Sequence, residues 1–70
     1  MRIVDKMSPF SLEEGDTLFL ELGELDVVSV DPVAEGYNII VTDMYMEELT
    51  MFVKNDETVP VVVGYDEMEI

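Results

Sequence analysis

From Thr17 to Val63, aliphatic side chains recur at every second position in short runs, and Gly, Pro, Asn or Asp cuts each run off before a helix of ordinary length could form. Thr17 to Leu22 sets Leu18, Leu20 and Leu22 on one face, with Thr17 and Glu21 on the other. Tyr37 to Thr42 does the same with Tyr37, Ile39 and Val41. Leu49 to Lys54 alternates Leu49, Met51 and Val53 against Thr50, Phe52 and Lys54. A period of two is that of a strand with one face on a core and one in water. Leu25 to Asp31 and Val59 to Val63 are rich in β-branched residues and read as strands too. In the former, Val28 and Val30 are favoured as the inward pair; the opposite register would bury Leu25 and Val27. Phe19 and Phe52 fall on outer faces. Pro60 has no backbone N–H, which predicts an edge or rim position for the last strand.

The connections carry turn chemistry. Leu12-Glu13-Glu14-Gly15-Asp16 predicts a tight turn, with Gly15 at positive φ and Asp16 bonding nearby backbone. Gly23-Glu24 suits a two-residue hairpin. Asp31-Pro32 ends a strand, Gly36 closes the next turn, and Asn55-Asp56-Glu57 forms another. Arg2 to Met7 predicts a short additional strand, broken by Ser8, Pro9 and Ser11. Asp43 to Glu48 is a connection with room for one helical turn. The fold class expected is therefore mostly β, as a small five-stranded barrel or a strongly bent antiparallel sheet. It forms a single domain over residues 1–70, with its core at about 12–63 and a loose acidic tail at 64–70.

Charge is the second constraint. Seventeen Asp and Glu stand against Arg2, Lys6 and Lys54, a net charge of -14. Such a surface is repelled by phosphate backbones and by anionic lipid, so neither direct nucleic-acid binding nor membrane association is expected. A protein with a basic surface is the favoured partner. The dense Val, Ile, Leu, Met and Phe separate the chain from disordered acidic segments. There is no cysteine, which suits a reducing, cytoplasmic setting, and no basic-then-apolar start to predict a signal peptide.

Leu12-Glu13-Glu14-Gly15-Asp16-Thr17-Leu18, Leu25-Asp26-Val27-Val28-Ser29-Val30, Tyr37-Asn38-Ile39-Ile40-Val41-Thr42-Asp43, Leu49-Thr50-Met51-Phe52-Val53 and Val59-Pro60-Val61-Val62-Val63 follow one another as in the small SH3-like barrels. Over roughly residues 12 to 63 the chain resembles that family, and more broadly the short accessory proteins of bacteriophages and bacteria. The resemblance implies a five-stranded barrel. The family's members include peptide binders, RNA binders and subunit connectors. The chain has no Trp to build the aromatic groove of a proline-rich-peptide binder, and no basic strip of the RNA-binding kind.

The chemistry available is narrow. With no His and no Cys, nucleophile–base arrangements of the serine- and cysteine-hydrolase kinds are excluded, and no enzymatic activity is expected. Asp56-Glu57 and Asp66-Glu67-Met68-Glu69 lack the ligand spacing of a calcium loop, so neither a metal nor a cofactor is expected. The distinctive segment is Met44-Tyr45-Met46-Glu47-Glu48. Methionine and tyrosine on a loop suit an adaptable binding surface, with carboxylates around it. The bland alternative tucks Met44 or Met46 into the core. Glu13, Glu14 and Asp16 are further candidates, if they converge with Glu47 and Glu48. The function expected is a small protein-binding accessory domain, such as a phage-type regulator acting on a host protein in the host cytoplasm. The alternatives are a nucleic-acid mimic occupying a basic site, and a structural or homo-oligomeric component.

Overall fold

The structure is a computed structural model, and it describes residues 2–65. These form β1 (Arg2–Met7), β2 (Thr17–Leu20), β3 (Gly23–Val33), β4 (Gly36–Thr42), β5 (Glu48–Lys54) and β6 (Val59–Tyr65), with a single 3-10 turn at Pro9–Ser11. The protein is mostly β. All the strands belong to one open antiparallel sheet in the order β1-β6-β2-β3-β4-β5. No helix among the described residues is long and apolar enough to cross a membrane. The strands number six rather than five, because Arg2–Met7 pairs along its whole length with β6. That pairing extends β6 to Tyr65, so Gly64 and Tyr65 belong to the sheet; the rest of the expected acidic tail, 66–70, lies outside the described residues.

One face of this sheet holds the core: Leu18, Leu25, Val27, Ile39, Val41, Val53, Val59 and Val61, with Leu12 laid over them from the segment that follows the 3-10 turn. Leu18 and Ile39 are wholly buried, at 0% exposure. The segment between β1 and β2 covers part of that face: the 3-10 turn lies against β4, and Pro9 and Leu12 are buried. Each fully buried Leu or Ile contributes about 2 kcal/mol of hydrophobic stabilisation. No polar or charged side chain is buried among the described residues, and no buried side-chain nitrogen or oxygen lacks a partner.

The register of β3 combines both readings of its sequence. Val27 pairs with Val41 but Ser29 pairs with Ile40, so Val28 is the extra residue of a β-bulge. Before the bulge Leu25 and Val27 point inward; after it the phase flips and Val30 packs on the core while Val28 is exposed. The expected inward pair Val28 and Val30 is thus corrected at Val28. β2 ends at Leu20, and the turn lies at Glu21–Leu22 rather than at Gly23-Glu24. Leu22, expected inward, is 71% exposed as a result.

Two prolines sit where their missing N–H is tolerated. Pro32 lies inside β3 opposite Tyr37 and does not end it; β2 reaches only to Asp26, so β3 has a single neighbour at Pro32. Pro60 is in an interior strand, not at an edge, but the β2–β6 join beside it is reduced to the single pair Leu18 and Val61.

Gly36 is fixed by close approach. A Cβ there would run into the Val53 carbonyl oxygen and stand 2.9 Å from the Lys54 Cα, both backbone atoms that cannot swing aside. Gly64 has nothing within 4 Å of that position. Gly36→Ala is therefore expected to destabilise the fold by about 3 kcal/mol, the upper range of overpacking costs. Gly64→Ala should be close to neutral. Urea melts of the two variants check this, and equal midpoints would contradict the packing described at Gly36.

Candidate functional site

The loop between β4 and β5 is built by Asp43. Its backbone N–H donates to the Glu47 carbonyl at 3.1 Å, and its carbonyl accepts from the Met46 N–H at 3.0 Å. Its side-chain Oδ1 accepts from the N–H of Tyr45 at 2.8 Å and of Glu47 at 3.0 Å. An Asp at the end of a strand competes for local amides in this way, closing a short loop instead of starting a helix. The connection expected at 43–48 is this hairpin loop, without the helical turn it had room for.

Three residues are thereby left in the tip: Met44, Tyr45 and Met46, which are 76%, 77% and 79% exposed. The alternative that tucks Met44 or Met46 into the core is overturned. Met46 has φ 67°, in the left-handed region, and is the one non-glycine with positive φ among the described residues. In the β2–β3 turn the same position, just after two turn residues, is held by Gly23 at φ 106°. A side chain there costs about 1–2 kcal/mol that glycine avoids. The tip is therefore apolar, exposed and strained, with its amides held by Asp43. Glu47 and Glu48 flank it, both exposed.

Glu13, Glu14 and Asp16 form a separate turn at the entry to β2. Gly15 has φ 99°, and its N–H donates to the Val27 carbonyl at 2.9 Å. Asp16 Oδ2 accepts from the Glu13 N–H at 2.9 Å, the local bond its sequence suggests. Glu13, Glu14 and Gly15 are exposed. Among the described residues, no hydrogen bond or ion pair joins this turn to the Met44–Glu48 loop. The structure places Met44, Tyr45, Met46, Glu47 and Glu48 along one loop and the start of β5, and Glu13, Glu14 and Asp16 in the turn that enters β2.

Beside the tip is an open cleft of about 410 Å³, lined by Arg2, Gly23, Glu24, Asp26, Asp43 and Met44. Its charges are already engaged. Arg2 Nε donates to Glu24 Oε2 at 2.8 Å while the guanidinium lies 4.3 Å from the centre of the Phe19 ring. The Tyr65 hydroxyl donates to the same Glu24 oxygen at 3.0 Å, and Asp26 accepts from Thr17 Oγ1 at 3.3 Å. The hydrogen bond from Arg2, and then that from Tyr65, hold the Glu24 carboxyl below the usual carboxylate range. Donation to Glu24 pushes the Tyr65 phenol up. Phe19 faces outward, as its sequence position suggests, with Arg2 over its ring. Among the described residues no three of His, Cys, Asp or Glu gather as metal ligands.

Sequence reasoning missed Asp43, whose signal was an Asx turn at a strand end. It also missed the cluster of Arg2, Glu24 and Tyr65, whose members are 22 and 41 residues apart and leave no local signal. No family model matches the chain, and no curated protein or solved structure is significantly similar to it.

Two outcomes test this geometry. Met46→Gly is expected to stabilise the protein by about 1 kcal/mol through relief of the left-handed strain. An unchanged or lowered urea midpoint would show that the side chain itself holds the loop. Glu24 has a folded-state pKa below its unfolded one, so its stabilisation is complete above the ordinary carboxylate pKa and is lost as pH falls through the depressed value. Melting temperatures of the wild type and Glu24→Gln, followed downward from pH 7, should converge. A gap that stays constant with pH would contradict the pairing.

Proposed function

We propose that this chain is a non-enzymatic accessory domain that binds a protein with a basic surface, and that the Met44–Glu48 loop is its recognition tip. The observation that carries the reading is the tip itself. Three large, apolar or amphipathic side chains stand more than three-quarters exposed on a loop whose amides are fixed by one carboxylate. An ordered apolar tip loses little conformational entropy on docking, and Tyr is among the side chains that dominate binding energy at interfaces. Backbone strain held in place by surrounding hydrogen bonds is common at functional sites, which supports the same loop. Glu47 and Glu48 supply a charged rim, and the net charge of -14 steers a basic partner toward it.

The non-enzymatic part rests on the absence of His and Cys from the sequence. The order β6-β2-β3-β4-β5 for the last five strands supports the resemblance to an SH3-like barrel, with β1 as an added strand. Regulation of a host factor by a small phage-type protein is the biological setting that size and acidity suit. Mimicry of a nucleic acid is the weaker reading, because the exposed tip of Met44, Tyr45 and Met46 is apolar rather than a row of carboxylates.

A photo-reactive residue in place of Tyr45 should crosslink to the partner, and the same residue in place of the exposed Glu35 should not. Binding of the crosslinked partner should then weaken at least about tenfold on Tyr45→Ala, and survive moderate salt. Equal crosslinking at both positions, or unchanged affinity, would reject the tip as the interface. Competition by duplex DNA with a steep loss of affinity in salt is the result that mimicry would give.

A further inference from the structure

The sheet has two edges, and they are not alike. β1 carries Arg2, Asp5 and Lys6, and its Lys6 N–H already donates to Asp5 Oδ1 at 2.9 Å. Charges and local capping of this kind keep an edge from adding a further strand. β5, the other edge, is uncharged between its ends: Leu49, Thr50, Met51, Phe52 and Val53.

The hydrogen-bond phase of β5 follows from its two ends. The Asp43 N–H donates to the Glu47 carbonyl, and the Asn55 N–H donates to the Glu35 carbonyl. In the register that pairs Val41 with Leu49, Ile39 with Met51 and Tyr37 with Val53, these bonds turn the backbone groups of Leu49, Met51 and Val53 toward β4. The N–H and C=O groups of Glu48, Thr50 and Phe52 therefore point outward. All three residues are exposed, and no other described strand pairs with β5. Beyond Phe52 the series is closed, because the Lys54 N–H donates to Glu57 Oε1 at 3.0 Å and its carbonyl accepts from the Glu57 N–H at 3.1 Å. The template is thus three alternate residues long, with Leu49 and Phe52 exposed beside it.

Carboxylates stand at both ends of this edge. Glu47 and Glu48 lie at its start; Glu57, Asp56 and Glu35 lie at its finish against Lys54 alone. We propose that β5 is a strand-addition site for an extended segment of a partner protein, apolar or β-branched at its centre and basic at both ends. Main-chain bonds to Glu48, Thr50 and Phe52 give the affinity, and the two acidic ends select the charge pattern. A second copy of this chain is disfavoured as the occupant, because it would bring another net charge of -14 to an edge with acidic ends. The inference rests on the reading that the partner is a basic protein, but it uses a different surface from the Met44–Met46 tip.

The test uses the full chain and a synthetic peptide of about nine residues, acetyl-Lys-Lys-Val-Thr-Ile-Thr-Val-Lys-Lys-amide, long enough to span the edge at about 3.4 Å per residue. Its control has the same sequence with alternate central amides N-methylated, which keeps the charge and removes strand-pairing donors. At physiological ionic strength the parent peptide should bind at least about tenfold more tightly than the control, with amide shifts concentrated at Glu48, Thr50 and Phe52. Thr50→Pro removes an outward N–H without touching the β4 ladder and should weaken binding about tenfold or more. Should Thr50→Pro fail to fold, the surface variant Glu47→Lys with Glu48→Lys should still lose about tenfold. Tyr45→Ala should leave peptide affinity within about twofold, which separates failure of the edge from failure of the tip.

Equal affinity for parent and control would reduce the interaction to charge and overturn the proposal. So would absence of peptide binding, shifts centred on β1, or unchanged affinity in both variants. A doubled mass in sedimentation with the β5 amides protected would assign the edge to a second copy, and would also overturn it.

Discussion

The structure depends on one antiparallel sheet gathering its aliphatic side chains on a single face. Leu18, between Leu25 and Val61 in the ladder, is where that is achieved: β2 is the strand through which the β1–β6 pair joins the β2–β5 meander, and Leu18 is wholly buried at the join. The bulge at Val28 is what lets a strand as long as β3 take part. Without the extra residue, a strict alternation from Leu25 and Val27 would carry Ser29 inward and Val30 out; with it, Val30 meets the core opposite Ile39. A core made only of aliphatic side chains has no place for a carboxylate, and no carboxylate is buried among the described residues.

That division explains which parts of the fold the sequence displays. β4 is legible outright: Tyr37, Ile39 and Val41 alternate in the sequence and pack inward in the structure. β5 is legible as a strand, and its inward series fades from buried Val53 through partly buried Met51 to exposed Leu49, because burial at an edge depends on how many neighbours the bend supplies. Gly15 and Asp16 behave as their chemistry requires. The positions that sequence misplaces are those decided by pairing partners far along the chain. Val28 is a bulge only because of Val41 and Ile40, Leu22 is exposed only because β2 stops at Leu20, and Pro60 is tolerated inside the sheet only because β2 barely reaches it. Of the candidate site, the residue types were visible in Met44-Tyr45-Met46. The role of Asp43 is a three-dimensional fact.

Charge and shape together give the surface its character. On a body with so many carboxylates, the β4–β5 hairpin carries two features that are not simply acidic: its tip and its outer edge. The tip is held by side-chain-to-backbone bonds that leave Met46 in a conformation methionine seldom adopts. The edge is bare because the sheet is open. The two lie on the same hairpin, one at its tip and one along its outer strand, with Glu47 and Glu48 between them in the chain.

Amide hydrogen exchange along β5 tests the central claim, an open sheet with its core on one face, most directly. The amides of Leu49, Met51 and Val53 should be protected by β4, while those of Glu48, Thr50 and Phe52 exchange freely, in strict alternation, with the slowest amides of the protein in β2, β3 and β4 around Leu18, Leu25 and Ile39. Uniform protection along β5 would mean that the edge is paired and the sheet closed. Uniformly fast exchange would mean that β5 does not belong to the sheet. Either result would contradict the structure on which the rest is built.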